Sequence, residues 1–133
     1  MAHRHNLTLE LATPTGRIVD NVEVAGVEIP GLLGEIGILP DHEPFCGPVA
    51  EGVVRFVEDG ADRRIAVGRG FYEVDDHGLV RVLVDRACDA ADVDAASVRS
   101  ALADLAGERG EGAARDEAYL RAQLRAAGAA GGD

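Results

Sequence analysis

Leu7, Leu9 and Leu11 alternate with Asn6, Thr8 and Glu10, the period-2 pattern of a strand with one buried face, and Pro14-Thr15-Gly16 ends it in a turn. Beyond Ile18, the apolar positions Val22, Val24, Val27 and Ile29 prolong the alternation until Pro30-Gly31 breaks it. Ile36, Ile38 and Leu39 predict a short strand stopped by Pro40. Residues 53–57 run into the turn Glu58-Asp59-Gly60, and Arg64-Ile65-Ala66-Val67 leaves it; residues 71–74 and 79–84 flank Asp75-Asp76-His77-Gly78 in the same way. Both pairs read as hairpins. Short strands with a turn signal about every ten residues predict an antiparallel sandwich or barrel.

After Asp85 the period changes from 2 to 3.6 and alanine becomes frequent. A first helix is expected to start at Asp92 or Asp94 as N-cap, with Ala95, Val98, Ala101, Leu102 and Leu105 on one face, and to stop at Gly107. Residues 108–112 allow a reversal. A second helix over 113–127 carries Ala113, Leu120, Leu124 and Ala127 on one arc and Arg115, Arg121 and Arg125 on another, before a frayed tail. The expected organisation is a β domain over 1–87 and a helical hairpin over 88–133. Helices of three to four turns do not hold alone in water, so this pair must pack. A few buried Leu and Val side chains are worth about 1.5–3 kcal/mol each, against about 1–2 kcal/mol of backbone entropy per ordered residue, so the hairpin is expected to dock weakly and to be able to leave.

Charge narrows the range of partners. The net charge of -11 comes from 24 acidic and 13 basic residues, and every basic residue is Arg. Such an excess repels phosphate backbones and anionic lipid, which argues against binding nucleic acid or a membrane surface. With 47% hydrophobic and 28% charged residues, the 133-residue chain suits one ordinary soluble domain, or a small domain with an appendage. No window approaches 18 consecutive apolar residues, and Met1-Ala2-His3-Arg4-His5 opens no apolar leader, so a cytoplasmic location is expected. Cys46 and Cys88 lack metal-ligand spacing and are expected to be reduced, packed thiols.

The motifs of catalysis are missing: there is no GxSxG, no GxxxxGK[ST], no HExxH and no paired CxxC, and no catalytic residue or cofactor is expected. Among the histidines, His3 and His5 sit at the terminus and His77 in a turn. His42 differs, because Asp41-His42-Glu43 between Pro40 and Pro44 offers two carboxylates and an imidazole, the ligand types of a divalent metal. Adjacent loop residues rarely converge on one ion, and no second cluster supplies further ligands, so no metal is expected there. The two prolines instead suit a rigid, preorganised contact surface. The alternative is a small autonomous sandwich that uses these three residues to bind a metal or ligand.

The sequence Val24-Ala25-Gly26-Val27-Glu28-Ile29-Pro30-Gly31, followed by Gly34-Glu35-Ile36-Gly37-Ile38-Leu39-Pro40-Asp41-His42-Glu43-Pro44, resembles the epsilon-subunit family of F-type ATP synthases, with its loop of the form GExGxLPGHxP. The resemblance continues through residues 48–55, 67–74 and 80–85. It implies a ten-stranded β-sandwich followed by a two-helix hairpin, in a non-catalytic rotor subunit at the foot of the central stalk. Such a subunit clamps gamma to the c ring, and in bacteria it can inhibit ATP hydrolysis when the hairpin extends toward the catalytic alpha and beta subunits. The resemblance places the chain as a peripheral protein on the cytoplasmic face of the cell membrane. By position, Glu35, Pro40, Asp41, His42 and Glu43 become the surface facing the c ring and gamma, with Asp41 standing where the family usually has glycine. Arg115, Arg121 and Arg125 match the basic hairpin that reaches the beta subunits; a solvated face with a Glu117–Arg121 pair is the other reading of the same residues. Some members bind ATP through [IL]-D-x-x-R-A. Here Val93-Asp94-Ala95-Ala96-Ser97-Val98 keeps Asp94 but puts Ser97 in the arginine position, so no tight ATP binding is expected.

Overall fold

The computed structural model describes residues 6–128. His3, His5 and all of the expected frayed tail, residues 128–133, except Gly128 lie outside them; the Gly128 N–H donates to the Arg125 carbonyl at 3.0 Å. Ten strands come first: β1 (Leu7–Thr13), β2 (Gly16–Val24), β3 (Val27–Gly31), β4 (Gly34–Ile38), β5 (Phe45–Val49), β6 (Gly52–Glu58), β7 (Ala61–Val67), β8 (Gly70–Val74), β9 (Leu79–Val84) and β10 (Ala87–Asp89). A single 3-10 turn at Ala90–Asp92 then leads into α1 (Ala95–Leu105) and α2 (Glu111–Ala126). The strands form two five-stranded sheets, ordered β2-β1-β9-β8-β5 and β10-β7-β6-β3-β4. This is a sandwich with an appended helical pair. One departure from the antiparallel expectation is that β1 runs parallel to β9.

The alternation of the sequence builds the core. Leu7, Leu9 and Leu11 of β1, Val80, Val82 and Val84 of β9, and Val54, Phe56, Ile65 and Val67 of the second sheet form one buried cluster. The hairpins β6–β7 and β8–β9 lie where their turn residues predict.

The long run from Ile18 to Ile29 is two strands in different sheets, contrary to the reading as one. The chain changes sheets at Ala25-Gly26, where a Cβ on Gly26 would lie 3.0 Å from Leu39 Cδ2 and 3.3 Å from the Ile38 carbonyl oxygen. A larger residue there needs the Leu39 side chain and the Ile38 carbonyl to give by a few tenths of an ångström. Pro30-Gly31, read as a break, ends β3 within the ladder, opposite Glu35 and Gly34. A bulge also shifts the phase of β2: Leu9 faces Val22 while Leu11 faces Val19, so β2 spends an extra residue, and Asn21 takes a φ of 52°. In consequence Val19 is buried and Ile18 is 39% exposed.

Two strands had no clear pattern in the sequence. β5 contains Gly47 and Pro48, yet it pairs with β8 as an edge strand, the position where proline is tolerated. Gly47 faces the Tyr72 ring, which a Cβ would approach to 2.9 Å. β10 is three residues long and pairs with β7, so the boundary placed after residue 87 falls inside a strand.

Asp94 caps α1 as expected, and Val98 is buried with Ala101, Leu102 and Leu105 half-buried. α2 begins two residues earlier than read and turns a different arc inward. Tyr119, Ala122 and Ala126, at i, i+3 and i+7, pack with Val53 and Ala66 on the outer face of the second sheet. Leu124 is buried, Leu120 is half-buried, and Ala127 is the exposed C-cap. The sequence reading gave Leu priority over Ala, whereas a helix laid flat on a sheet puts its small residues at the closest approach.

Candidate functional site

The loop between β4 and β5 carries most of the residues singled out by sequence. The His42 N–H donates to the Leu39 carbonyl at 3.1 Å, closing a four-residue turn with Pro40 and Asp41 at its centre. Proline fixes a negative φ at the first central position and Asp41 has a φ of 68°, which together define a type II turn. Glycine meets that conformation without strain, and aspartate is among the few L residues that tolerate it. The turn expected of the resemblance therefore forms with Asp41 in place of glycine. His42 Nδ1 lies 2.7 Å from the Glu43 carbonyl oxygen, so that nitrogen is the donor. Asp41, Glu43 and Pro44 are exposed, and His42 is half-buried. Among the described residues no three His, Cys, Asp or Glu side chains group as metal ligands. The loop presents its charges outward, and Leu39 beside them is 66% exposed.

Glu35 stands apart on β4 and shares a hollow with Arg55, Glu51 and Arg125 of α2. The structure thus brings together two residues that the sequence had assigned to different partners. Arg115 lies 3.9 Å from Glu111 and Arg121 lies 3.3 Å from Glu117, both i,i+4 pairs, so the local ion-pair reading of this face is realised in the docked helix.

A second surface was missed in the sequence. On the outer face of the first sheet the register aligns Ala12, Leu83, Phe71 and Pro48 in a row across β1, β9, β8 and β5. Phe71 is 69% exposed and Leu83 48%. The neighbouring row is Glu10, Arg81, Glu73 and Cys46. There Arg81 donates from Nε to Glu10 at 2.8 Å, a bond that raises the Arg81 pKa, while Arg17 lies 3.2 Å from the same carboxylate. Glu10, the only charged residue of the buried set described, is satisfied by these two guanidinium groups. The parity of strands β8 and β9 held the clue: Phe71 and Leu83 fall on the outward phase of their alternation. Cys46 is exposed in this row, against the expectation of a packed thiol, because it too has outward parity on an edge strand. Cys88 is half-buried and reduced, and burial pushes its pKa up.

The remaining candidate is the start of α1. Asp94 Oδ1 accepts from the Ser97 backbone N–H at 3.2 Å and Oδ2 from the Ser97 hydroxyl at 2.9 Å. Both carboxylate oxygens are used within the cap. The Ser97 hydrogen bonds hold the Asp94 pKa below the ordinary carboxylate value.

Comparison with known proteins places the chain in a family. Residues 6–90 match the family model described as "ATP synthase, Delta/Epsilon chain, beta-sandwich domain". The ATP synthase epsilon chain of Anaeromyxobacter dehalogenans (strain 2CP-C) is 35% identical over 131 residues, covering 92% of this chain and 98% of that protein. The ATP synthase epsilon chain of Moorella thermoacetica is 38% identical over 133 residues, with 93% and 98% covered. A chain in a structure of the Euglena gracilis mitochondrial ATP synthase OSCP/F1/c-ring superposes with a TM-score of 0.74 at 21% identity, covering 93% of this chain and 78% of that one; this likeness is one of fold.

Two outcomes follow from the local geometry. Replacing Asp41 by Val puts a β-branched residue at positive φ, and chemical denaturation should show a loss of about 1–2 kcal/mol, while Asp41→Gly stays within about 0.5 kcal/mol of the parent. Equal stability of the two variants would contradict the turn described. For Asp94, a depressed folded pKa means that its stabilising contribution is present above the unfolded value of about 3.9 and is lost as pH falls through the lower folded value. Far-UV circular dichroism should therefore show helix lost on acidification below about pH 4, with that component absent from Asp94→Asn, whose amide caps without titrating.

Proposed function

This chain belongs to the ATP synthase delta/epsilon-chain family, and from that premise we propose that it is the non-catalytic central-stalk rotor subunit of a proton-translocating F-type ATP synthase. It couples rotation of the catalytic head to the c ring, as a peripheral protein on the cytoplasmic face of a bacterial membrane. The observation that carries this reading is the pairing of a stiff sandwich with two separate outward surfaces. One is the turn at Pro40, Asp41, His42 and Glu43, with Glu35 apart from it at the start of β4; the other is the apolar row Ala12, Leu83, Phe71 and Pro48.

A clamp needs both. We assign the loop and Glu35 to contact with the c ring and gamma, and the apolar row to gamma. Exposed contiguous apolar side chains mark protein contacts, and large ones such as Phe71 act as anchors. Torque passes because a close-packed sandwich does not deform under load. No chemistry is required of the chain.

The helical pair is the regulatory element. Docked, it holds Arg125 in the hollow beside Glu35; extended, it releases Arg115, Arg121 and Arg125 toward acidic segments of the catalytic beta subunits. Ser97 removes the guanidinium of the family's ATP motif, and the cap occupies Asp94, so the hairpin is not governed by ATP binding.

Tagged protein purified from its source organism should bring down gamma and c subunits. Hydrolysis by that complex should rise several-fold when residues 91–133 are removed, and also with the charge reversals Arg121→Glu and Arg125→Glu. Unchanged hydrolysis would reduce the role to the clamp, and recovery of no synthase subunit would refute the reading. Titration calorimetry with ATP should give no saturable heat at micromolar nucleotide; a saturable isotherm would overturn the reading of Asp94 and Ser97.

A further inference from the structure

We propose that Arg86 is a clasp that sets how tightly the helical pair holds to the sandwich, making the docked state sensitive to ionic strength. The inference deepens the regulatory part of the reading above, and it is tested on the isolated chain so that the two can fail separately.

Arg86 lies in the two-residue link between β9 and β10, and its backbone is fixed there, since its carbonyl accepts from the Gly68 N–H at 2.9 Å. From that rigid base its side chain reaches α2 twice. Nη2 lies 2.8 Å from Asp116 Oδ1, and the guanidinium carbon sits 4.6 Å from the centre of the Tyr119 ring. Asp116 and Tyr119 are i and i+3 on α2, so one guanidinium grips one turn of the helix through its edge and its face. Tyr119 is buried, and that burial is the chief cause pushing its phenol up to about 12.

The rest of the interface is thin. Against the sheet α2 places Tyr119, Ala122 and Ala126, which meet Val53, Ala66, Cys88 and Ala90. Beside Tyr119, the alanines of α2 fit closely but remove little apolar area from water, so docking leans on the grip of Arg86 more than it would across a leucine-lined interface. Lysine is no substitute, because it lacks the planar fork and the stacking face.

Two cysteines report the state of the clasp. Cys88 packs beneath α2, while Cys46 is exposed on the edge of the other sheet. Alkylation followed by mass spectrometry should label Cys88 slowly and Cys46 fast in the parent chain. Arg86→Gln should speed labelling of Cys88 by about tenfold and leave Cys46 unchanged, with Arg86→Lys in between and Asp116→Asn giving a smaller rise. About 1 M salt should speed Cys88 labelling in the parent and have little effect in Arg86→Gln. An unchanged Cys88 rate in Arg86→Gln, or an equal rise at Cys46 that signals unfolding of the sandwich, would overturn the proposal. These rates are read without the synthase, so they stand whether or not hydrolysis is inhibited.

Discussion

The parallel pairing of β1 with β9 is the constraint on which the sandwich depends. It joins the first strand to the ninth, Thr8 opposite Leu79 through Ala12 opposite Leu83, and so closes the first sheet across most of the β domain. Three consequences share this seam. It drives Leu7, Leu9 and Leu11 into the core against Val80, Val82 and Val84; it brings Glu10 to Arg81; and it aligns Ala12 with Leu83 at the start of the exposed apolar row. Pairing strands so distant in sequence carries a loop-closure cost in entropy, which the buried residues of the seam must offset.

The helical pair obeys a different rule. Its sheet-facing residues are alanines and one tyrosine, where the sandwich core is built of Leu, Ile and Val. Burial worth about 25 cal/mol per Å² gives the core a large margin and the alanine interface a small one. The two parts therefore differ in side-chain size, and Arg86 adds a polar contact to the smaller interface. A large-residue core and a small-residue interface thus share one chain.

Legibility in the sequence followed the range of the interactions. The hairpins β6–β7 and β8–β9 are local, and Glu58-Asp59-Gly60 and Asp75-Asp76-His77-Gly78 announce their turns. The run from Ile18 to Ile29 misled because the chain changes sheets near Gly26 and a bulge at Asn21 turns Val19 inward and Ile18 outward, while Val24, Val27 and Ile29 stay buried as their pattern predicts. β5 was hidden by Pro48, whose tolerance depends on lying at a sheet edge, a fact of topology. For the candidate site, the motif through Glu35 and His42 located the loop. The turn type, the Phe71 and Leu83 row and the grip of Arg86 on Tyr119 arise from registers and packing between distant segments.

The two outward surfaces differ in the kind of contact they offer. Asp41, Glu43 and Glu35 hold negative charge at fixed positions in water, where exposed charge contributes steering and register more than affinity. Phe71 and Leu83 offer apolar area that gains by leaving water, the kind of contact that anchors an interface. A partner met through the loop alone would slide or exchange readily, whereas one seated on the row would turn with the sandwich. Both kinds of surface arise outside the packed core, the charged one at a turn between strands and the apolar one on the outward phase of β8 and β9.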